Sequence, residues 1–278
     1  MDKIFVERIR DDLVIENNTN NHEKDPTDTE VAGLDYETEL KKTNLMNYAD
    51  LINYPVEWSY TFTDEEKKIL IKCASDCIKI GRSALFEEEL KPIVERLESG
   101  WTNGMWFFRF NSMSPKDGEP EYPVFDAKQV VNKIVTSKRG WNCMLKGENT
   151  IYFVKYDSDW DLRREFRVFV YKRKVTAISQ YNVSIKSMLS GKSTAEAKEL
   201  SFNIKTYLEE RILPSICTAI RTDNLVCDIY VNTDLSLRIV EFNSFGYWQA
   251  AGSSLFHWIN DKDKLYNTDD KTFMRFIK

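Results

Sequence analysis

Apolar and polar positions alternate most tellingly between residues 226 and 243. V-C-D-I-Y-V and L-R-I-V-E-F-N read as two strands, Val226–Val231 and Leu237–Asn243, joined by the polar turn Asn232-Thr233-Asp234. Side chains alternate faces along a strand. Val226, Asp228 and Tyr230 then share one face of the first strand. Ile239, Glu241 and Asn243 share one face of the second, with Val240 and Phe242 opposite. The same reading predicts strands at Met105–Asn111, Ile151–Tyr156, Glu165–Tyr171 and Val175–Gln180, the last two forming a hairpin turned by Lys172-Arg173-Lys174.

Helical periods fall between these strands. Thr63-x-x-Glu66 has the form of a capping box and opens a helix through about Ile80, with Ile69, Leu70, Cys73, Ala74 and Cys77 on its buried side and Gly81 at its end. A second helical stretch runs to Leu97, interrupted or restarted at Pro92. Asp126-x-x-Gln129 caps a helix through about Ser137, Thr194–Ile220 is helical with a break or kink at Pro214, and Ser253–Ile259 is expected as a short terminal helix. Asn17–Glu30 is polar and without period, which predicts a mobile loop or tail. Ile4, Phe5, Val6 and Ile9 form a short apolar segment ahead of it, expected to dock elsewhere. Leu45–Phe62 concentrates Tyr48, Tyr54, Trp58, Tyr60 and Phe62, which suits an extended segment lying on a core or on a partner.

Composition narrows the function classes. At 278 residues the chain can bury a sizeable core, in one large domain or two lobes. A net charge of −5 leaves no bulk basic field to hold nucleic acid. No apolar run reaches membrane-span length, and the first residues lack an apolar signal core. The five cysteines contain no C-x-x-C, and two histidines do not complete a typical zinc site with them. Reduced, buried thiols in a cytoplasmic protein are the expectation.

The candidate chemistry lies on the strands. If Val231 pairs with Arg238, Asp228 lies opposite Glu241, and two carboxylates side by side repel. A cation between them would resolve this, and a hard cation such as Mg²⁺ takes oxygen ligands of the kind Asp228, Glu241 and Asn243 offer. A solvated polar face on an edge hairpin is the plainer alternative. On the metal reading, removing Asp228 should be neutral or mildly stabilising in the metal-free protein. Arg109, Lys155 and Arg167 each place one cation on an otherwise apolar strand, and Lys116 follows Arg109 on a turn-rich loop. Several cations converging with a metal is what phosphate binding needs. P-loop, dinucleotide and nucleophile-elbow motifs are all missing, and no catalytic residue is assigned.

F-R-F-N-S-M-S-P-K-D, R-E-F-R-V-F-V-x-x-x-K-V-T-A-I-S-Q and V-C-D-I-Y-V…R-I-V-E-F-N-S-F-G occur in an order and spacing that resembles the cell division cycle protein 123 family, over roughly Trp101–Ile259. The resemblance implies an α+β ATP-grasp fold of two lobes with ATP and Mg²⁺ between them. The corresponding division is an N-terminal segment over 1–45, partly flexible, a lobe over 46–156 and a lobe over 157–278 that ends in a partner-binding segment. It also implies an assembly chaperone for eukaryotic translation initiation factor two that binds the gamma subunit, as a monomer and without direct nucleic-acid contact. Carried over by motif, Asp228, Glu241 and Asn243 fall on the metal-binding set. Arg167 and Arg109 fall on phosphate contacts, Lys116 on the basic residue of the S-P-R/K-D loop, and Lys155 on the basic residue before the adenine hinge. The chain departs from relatives at Glu241, where they carry aspartate, and at Tyr181-Asn182, where they carry arginine and aspartate. The other functional class is an ATP-grasp ligase that couples a carboxylate to an amine or other nucleophile through an acyl-phosphate.

Overall fold

The computed structural model describes residues 3–10, 36–246 and 251–278. The expectation for Asn17–Glu30 lies outside the described residues. In chain order the regular elements are β1 (Ile4–Ile9), α1 (Tyr36–Lys42), β2 (Val56–Thr61), α2 (Asp64–Ile80), α3 (Glu87–Glu98), β3 (Trp106–Phe110), α4 (Ala127–Thr136), α5 (Lys138–Leu145) and β4 (Thr150–Lys155). They continue with β5 (Glu165–Tyr171), β6 (Lys174–Gln180), α6 (Thr194–Thr206), α7 (Leu213–Ala219), β7 (Leu225–Val231), β8 (Leu237–Ser244), α8 (Lys262–Leu265) and β9 (Thr272–Ile277). The class is α+β, as the sequence predicts. Two compact units divide the chain: Met1–Ile52 with Trp160–Lys278, and Asn53–Asp159. The boundaries fall a few residues from the expected 45/46 and 156/157. The first 52 residues group with the C-terminal unit because β1 pairs in parallel along β9.

In the central unit, an antiparallel sheet in the order β2-β4-β3 shares one apolar core with α2, α3, α4 and α5. The capping box at Thr63 and Glu66 forms as read, with the Thr63 hydroxyl accepting from the Glu66 N–H and the Glu66 carboxylate accepting from the Thr63 N–H. Helix α3 starts at Glu87 and runs through Pro92 without a break. Trp58 and Tyr60, expected on a core or a partner, pack half-buried against the core of this unit, Trp58 stacked on Phe153 at 3.7 Å between ring centroids. The loop after β3 is fastened at three points. Asp117 accepts from the Ser137 hydroxyl, which itself caps α5. Gly118 lies so close to α4 that a Cβ there would sit 2.1 Å from the Lys133 carbonyl oxygen. The buried Lys133 ammonium donates to the Gly118 and Pro120 carbonyls at 2.7 and 2.6 Å.

The other unit holds, among the described residues, a six-stranded sheet in the order β1-β9-β6-β5-β7-β8. Helix α6 packs on β1 and β9. It leads through a π-helical turn, Tyr207–Ile212, into α7, where Pro214 has no N–H to continue the regular ladder. Within that turn Glu209 accepts from the Val175 N–H at 2.8 Å and from Lys205 at 2.8 Å.

The segment after β8 departs from its expectation. Residues 253–259 form turns rather than a helix, and the helix is α8. Their backbone groups are taken by side chains: the Ser253 hydroxyl donates to the Phe256 carbonyl, and His257 Nδ1 accepts from the N–H groups of Ile259 and Asn260 at 3.2 and 3.1 Å. Phe245, Leu255, Phe256 and Trp258 are buried, so this stretch closes its own unit instead of offering an exposed aromatic patch. Tyr247 and Trp248 lie outside the described residues.

Arg275 on β9 locks this stretch down. It pairs with both oxygens of Asp261 and with Glu7 on β1 at 2.6 Å, and lies over the Phe256 ring at 4.4 Å. Burial works to raise the pKa of Asp261, but the Arg275 hydrogen bonds and charge outweigh it and hold the carboxyl below its ordinary 3.8. A depressed carboxyl pKa contributes stability that is present above the unfolded value and lost as pH falls through the folded one. The stability gap between wild type and Asp261→Asn should therefore be widest near neutrality and shrink at about pH 3 and below. Urea midpoints of the two proteins across that range measure it, and a constant gap would mean that the Asp261 charge contributes nothing.

Candidate functional site

One row of side chains crosses the whole six-stranded sheet. Glu7 faces Arg275, Arg275 faces Ser179, Ser179 faces Arg167, Arg167 faces Asp228, and Asp228 faces Glu241. Directly paired residues point to the same side of a sheet, so all six lie on one face. Phe169, two residues along β5 from Arg167, packs under Phe256 and Trp258. The segment from Ala251 to Asp261 thus covers this face, and the polar row ties it down. Arg167 Nη1 donates to the Gly252 carbonyl at 2.7 Å, the Ser179 hydroxyl accepts from the Leu255 N–H at 3.0 Å, and Arg275 donates to the Leu255 carbonyl at 3.1 Å.

The predicted juxtaposition of Asp228 and Glu241 is present, by a different register. Val231 pairs with Leu237 and Tyr230 with Arg238, one residue off the expected alignment. A bulge between Ile229 and Asp228 then brings Glu241 opposite Asp228. The bulge corrects one part of the face assignment: Ile239 pairs with Ile229, on the opposite face from Glu241, and is buried there. Arg238 takes its place beside Tyr230. It lies 4.8 Å from the ring centroid of Trp160, which is itself stacked on Tyr230 at 4.1 Å.

The cation that the two carboxylates call for is supplied by the protein. Asp228 is fully buried, and its two oxygens accept from Arg167 Nε and Nη2, each at 2.8 Å. Asn243 adds an amide N–H at 3.3 Å. The Tyr181 ring covers the guanidinium at 4.8 Å. Burial disfavours the charge on Arg167, but Asp228 first and Glu241 more weakly outweigh it, so its pKa lies above the ordinary arginine value. The Cys227 thiol, next to Asp228 in the chain, is also held well above its ordinary pKa, by burial first and then by the charges of Asp228 and Glu241, which keeps it protonated. All five cysteines are free and buried, as expected.

Asp228, Glu241 and Asn243 still fit a hard cation by donor type, with two carboxylates and an amide oxygen on neighbouring strands. A carboxylate has about four lone-pair directions, so the bond to Arg167 does not by itself exclude a metal. Among the described residues no group of three or more His, Cys, Asp or Glu forms a metal cage, and the remaining ligands would have to come from substrate oxygens. Of the other candidates, Arg109 is buried on β3 with Nε donating to the Phe110 carbonyl at 3.2 Å. Lys116 is exposed on the fastened loop and Lys155 is exposed at the end of β4. These three belong to the central unit, whereas Arg167, Asp228, Glu241 and Asn243 share one sheet in the other. Sequence reasoning missed Glu7, Arg275 and Asp261. For Arg275 the available signal was the β-prone run T-F-M-R-F-I near the C-terminus, which forms β9.

The expected effect of removing Asp228 is reversed by this geometry. Asp228→Ala would leave a buried guanidinium without its counter-charge, a loss of about 3–5 kcal/mol for breaking a buried pair. Chemical denaturation of the ligand-free protein should show that loss, and a midpoint equal to or above wild type would mean that the pair is not what holds Arg167.

The sequence profile of the D123 family matches residues 153–278, the stretch that contains the whole polar row except Glu7. A putative CDC123-like protein of Acanthamoeba polyphaga mimivirus is 28% identical over 185 residues, covering 62% of this chain and 55% of the relative. The chain thus matches about half the length of that curated relative. The structure of Cdc123 from Schizosaccharomyces pombe superposes with a TM-score of 0.59 at 14% identity, covering 88% of this chain and 99% of that one. A RimK domain ATP-grasp protein from Sphaerobacter thermophilus gives a TM-score of 0.34 at 12% identity, covering 74% of this chain and 59% of that one. Among the described residues no helix is long and apolar enough to cross a membrane. Residues 153–278 thus match the D123 family, and the fold is shared with Cdc123 from Schizosaccharomyces pombe.

Proposed function

We propose that this chain binds ATP with Mg²⁺ as an ATP-grasp protein and serves as an assembly factor for eukaryotic translation initiation factor two by binding its gamma subunit. The observation that carries the reading is the alignment of Arg167, Asp228 and Glu241 on three adjacent strands, with Asn243 beside them, inside the stretch that matches the D123 family. Two carboxylates and an amide oxygen would hold the cation, and the cation would neutralise phosphate charge and orient the nucleotide. The family resemblance is what assigns Arg109, Lys116 and Lys155 to phosphate and hinge roles. Lys116 is exposed on a loop that Asp117, Gly118 and Lys133 hold in place.

The partner assignment follows from the family resemblance. Phe245, Leu255, Phe256 and Trp258 are buried and contribute core. Residues 54–62 keep Trp58 and Tyr60 half-exposed on β2.

Calorimetry should show ATP binding only with Mg²⁺ present. Lys116→Ala should weaken ATP more than AMP, by about 1.5–3 kcal/mol for a hydrogen bond to a charged group. Binding without metal, or equal losses for ATP and AMP, would remove the reading at those residues. A pull-down with purified gamma subunit, with and without ATP and Mg²⁺, should recover the subunit. If it is not retained in either condition, the assembly role gives way to the ligase.

A further inference from the structure

The Arg167 guanidinium joins two parts of the unit. Two of its nitrogens hold the Asp228 carboxylate on β7, and the third holds the backbone carbonyl of Gly252 in the covering segment. A guanidinium is planar and its donors diverge at fixed angles. The position of Nη1 against Gly252 is therefore set by how Nε and Nη2 meet Asp228. Tyr181 covers the ring-like plane and keeps it from tilting. A Cβ added at Gly252 would lie in ordinary van der Waals contact with Arg167 Nη1, at 3.6 Å.

We propose that Arg167 is a positioning residue that orients Asp228 and transmits the state of that carboxylate to the segment Ala251–Trp258. The inference rests on the Mg²⁺-ATP reading for its ligand, but the link itself is a property of this chain. In the ligand-free protein Asp228 carries its full charge toward Arg167, and Gly252 is held. A divalent cation shared by Asp228, Glu241 and Asn243 draws on the same carboxylate and repels the guanidinium beside it. As Arg167 loses its bidentate seat, Nη1 loses its alignment with the Gly252 carbonyl. The Leu255 N–H, anchored on Ser179 in the neighbouring strand, belongs to the same segment. Because coupling between two sites is reciprocal, any partner that takes hold of this segment would alter cation affinity at Asp228 by the same factor.

Arg275, further along the same row, makes the opposite case and supplies an internal control. It holds the segment through Leu255 and Asp261 with no bond to Asp228. Amides near residue 261 should therefore not respond to events at Asp228, whereas those near residue 252 should.

Hydrogen–deuterium exchange of the full chain, read by mass spectrometry, tests the link in two ways. In the ligand-free protein, Asp228→Asn keeps the shape of the side chain and removes its charge. Exchange in peptides covering 251–258 should rise on the order of fivefold or more, the lower range of a measurable coupling, while peptides around 261–265 stay as in wild type. In the wild-type protein, AMP-PNP with Mg²⁺ should produce the same local rise relative to AMP-PNP with EDTA. Arg167→Lys retains the charge but not the fork, and should abolish the response to Mg²⁺. The wild-type comparison needs no variant, so a misfolded Arg167→Lys protein would not decide the matter. If calorimetry shows Mg²⁺-dependent binding and exchange at 251–258 is unchanged or slowed, the link is overturned and the nucleotide reading stands. If no Mg²⁺-dependent binding occurs, the transmission to a ligand falls together with that reading. A rise confined to Asp228→Asn would then define Arg167 as a structural tie only.

Discussion

The buried pair of Arg167 and Asp228 is the constraint on which the C-terminal unit depends. Taking two charges out of water costs several kcal/mol per ion, and geometry decides whether the loss is recovered. Here the strands supply the geometry. The two residues lie directly opposite on β5 and β7, so backbone pairing alone brings the guanidinium and carboxylate into bidentate register. The remaining polar capacity is used as well: Asn243 on Asp228, and Gly252 and Tyr181 on Arg167. Glu241, opposite Asp228, would be a repulsive neighbour were the guanidinium not one strand away.

The same logic repeats at the other end of the row. Arg275 holds Asp261 and Glu7 as Arg167 holds Asp228, each arginine bidentate on one carboxylate. In both places the arginine reaches across from the sheet to the covering segment and takes a backbone carbonyl. A segment of turns has carbonyls to offer where a helix would have used them internally, which is why residues 253–259 depart from helix. Apolar contacts by Phe256 and Trp258 then fill the space between the two polar anchors. Polar fastening and apolar burial therefore act on alternate residues of one stretch.

What the sequence made legible was local. The capping box at Thr63, the cap at Asp126, the strands from β3 to β8 and the facing of Asp228 with Glu241 follow from period and composition, and they are present. The bulge beside Asp228 was not legible, because a period-two pattern tolerates one extra residue without changing which residue types alternate. Nor was the pairing of β1 with β9, since contacts between the two ends of a chain leave no local trace. The reading was incomplete in a more instructive way at Asp228 itself. Two adjacent carboxylates correctly demanded a cation, but a strand pattern does not reveal which strand lies on the far side. Once β5 is there, the protein's own arginine answers the demand before any metal does.

That answer changes how the carboxylate should be understood. A ligand set kept free for a metal would repel itself in the empty protein and tend to disorder. A set already neutralised by a guanidinium is ordered in advance, and a cation entering it must compete with an existing partner. On the proposed Mg²⁺-ATP reading, that competition would lower intrinsic cation affinity, while the pair holds Asp228 in place. Phosphate oxygens arriving with the cation would tip the balance, because they add ligands for the metal and a second acceptor for the displaced guanidinium. Metal alone should then be a poor ligand for this site and metal with nucleotide a good one, a selectivity that follows from Arg167 standing where it does.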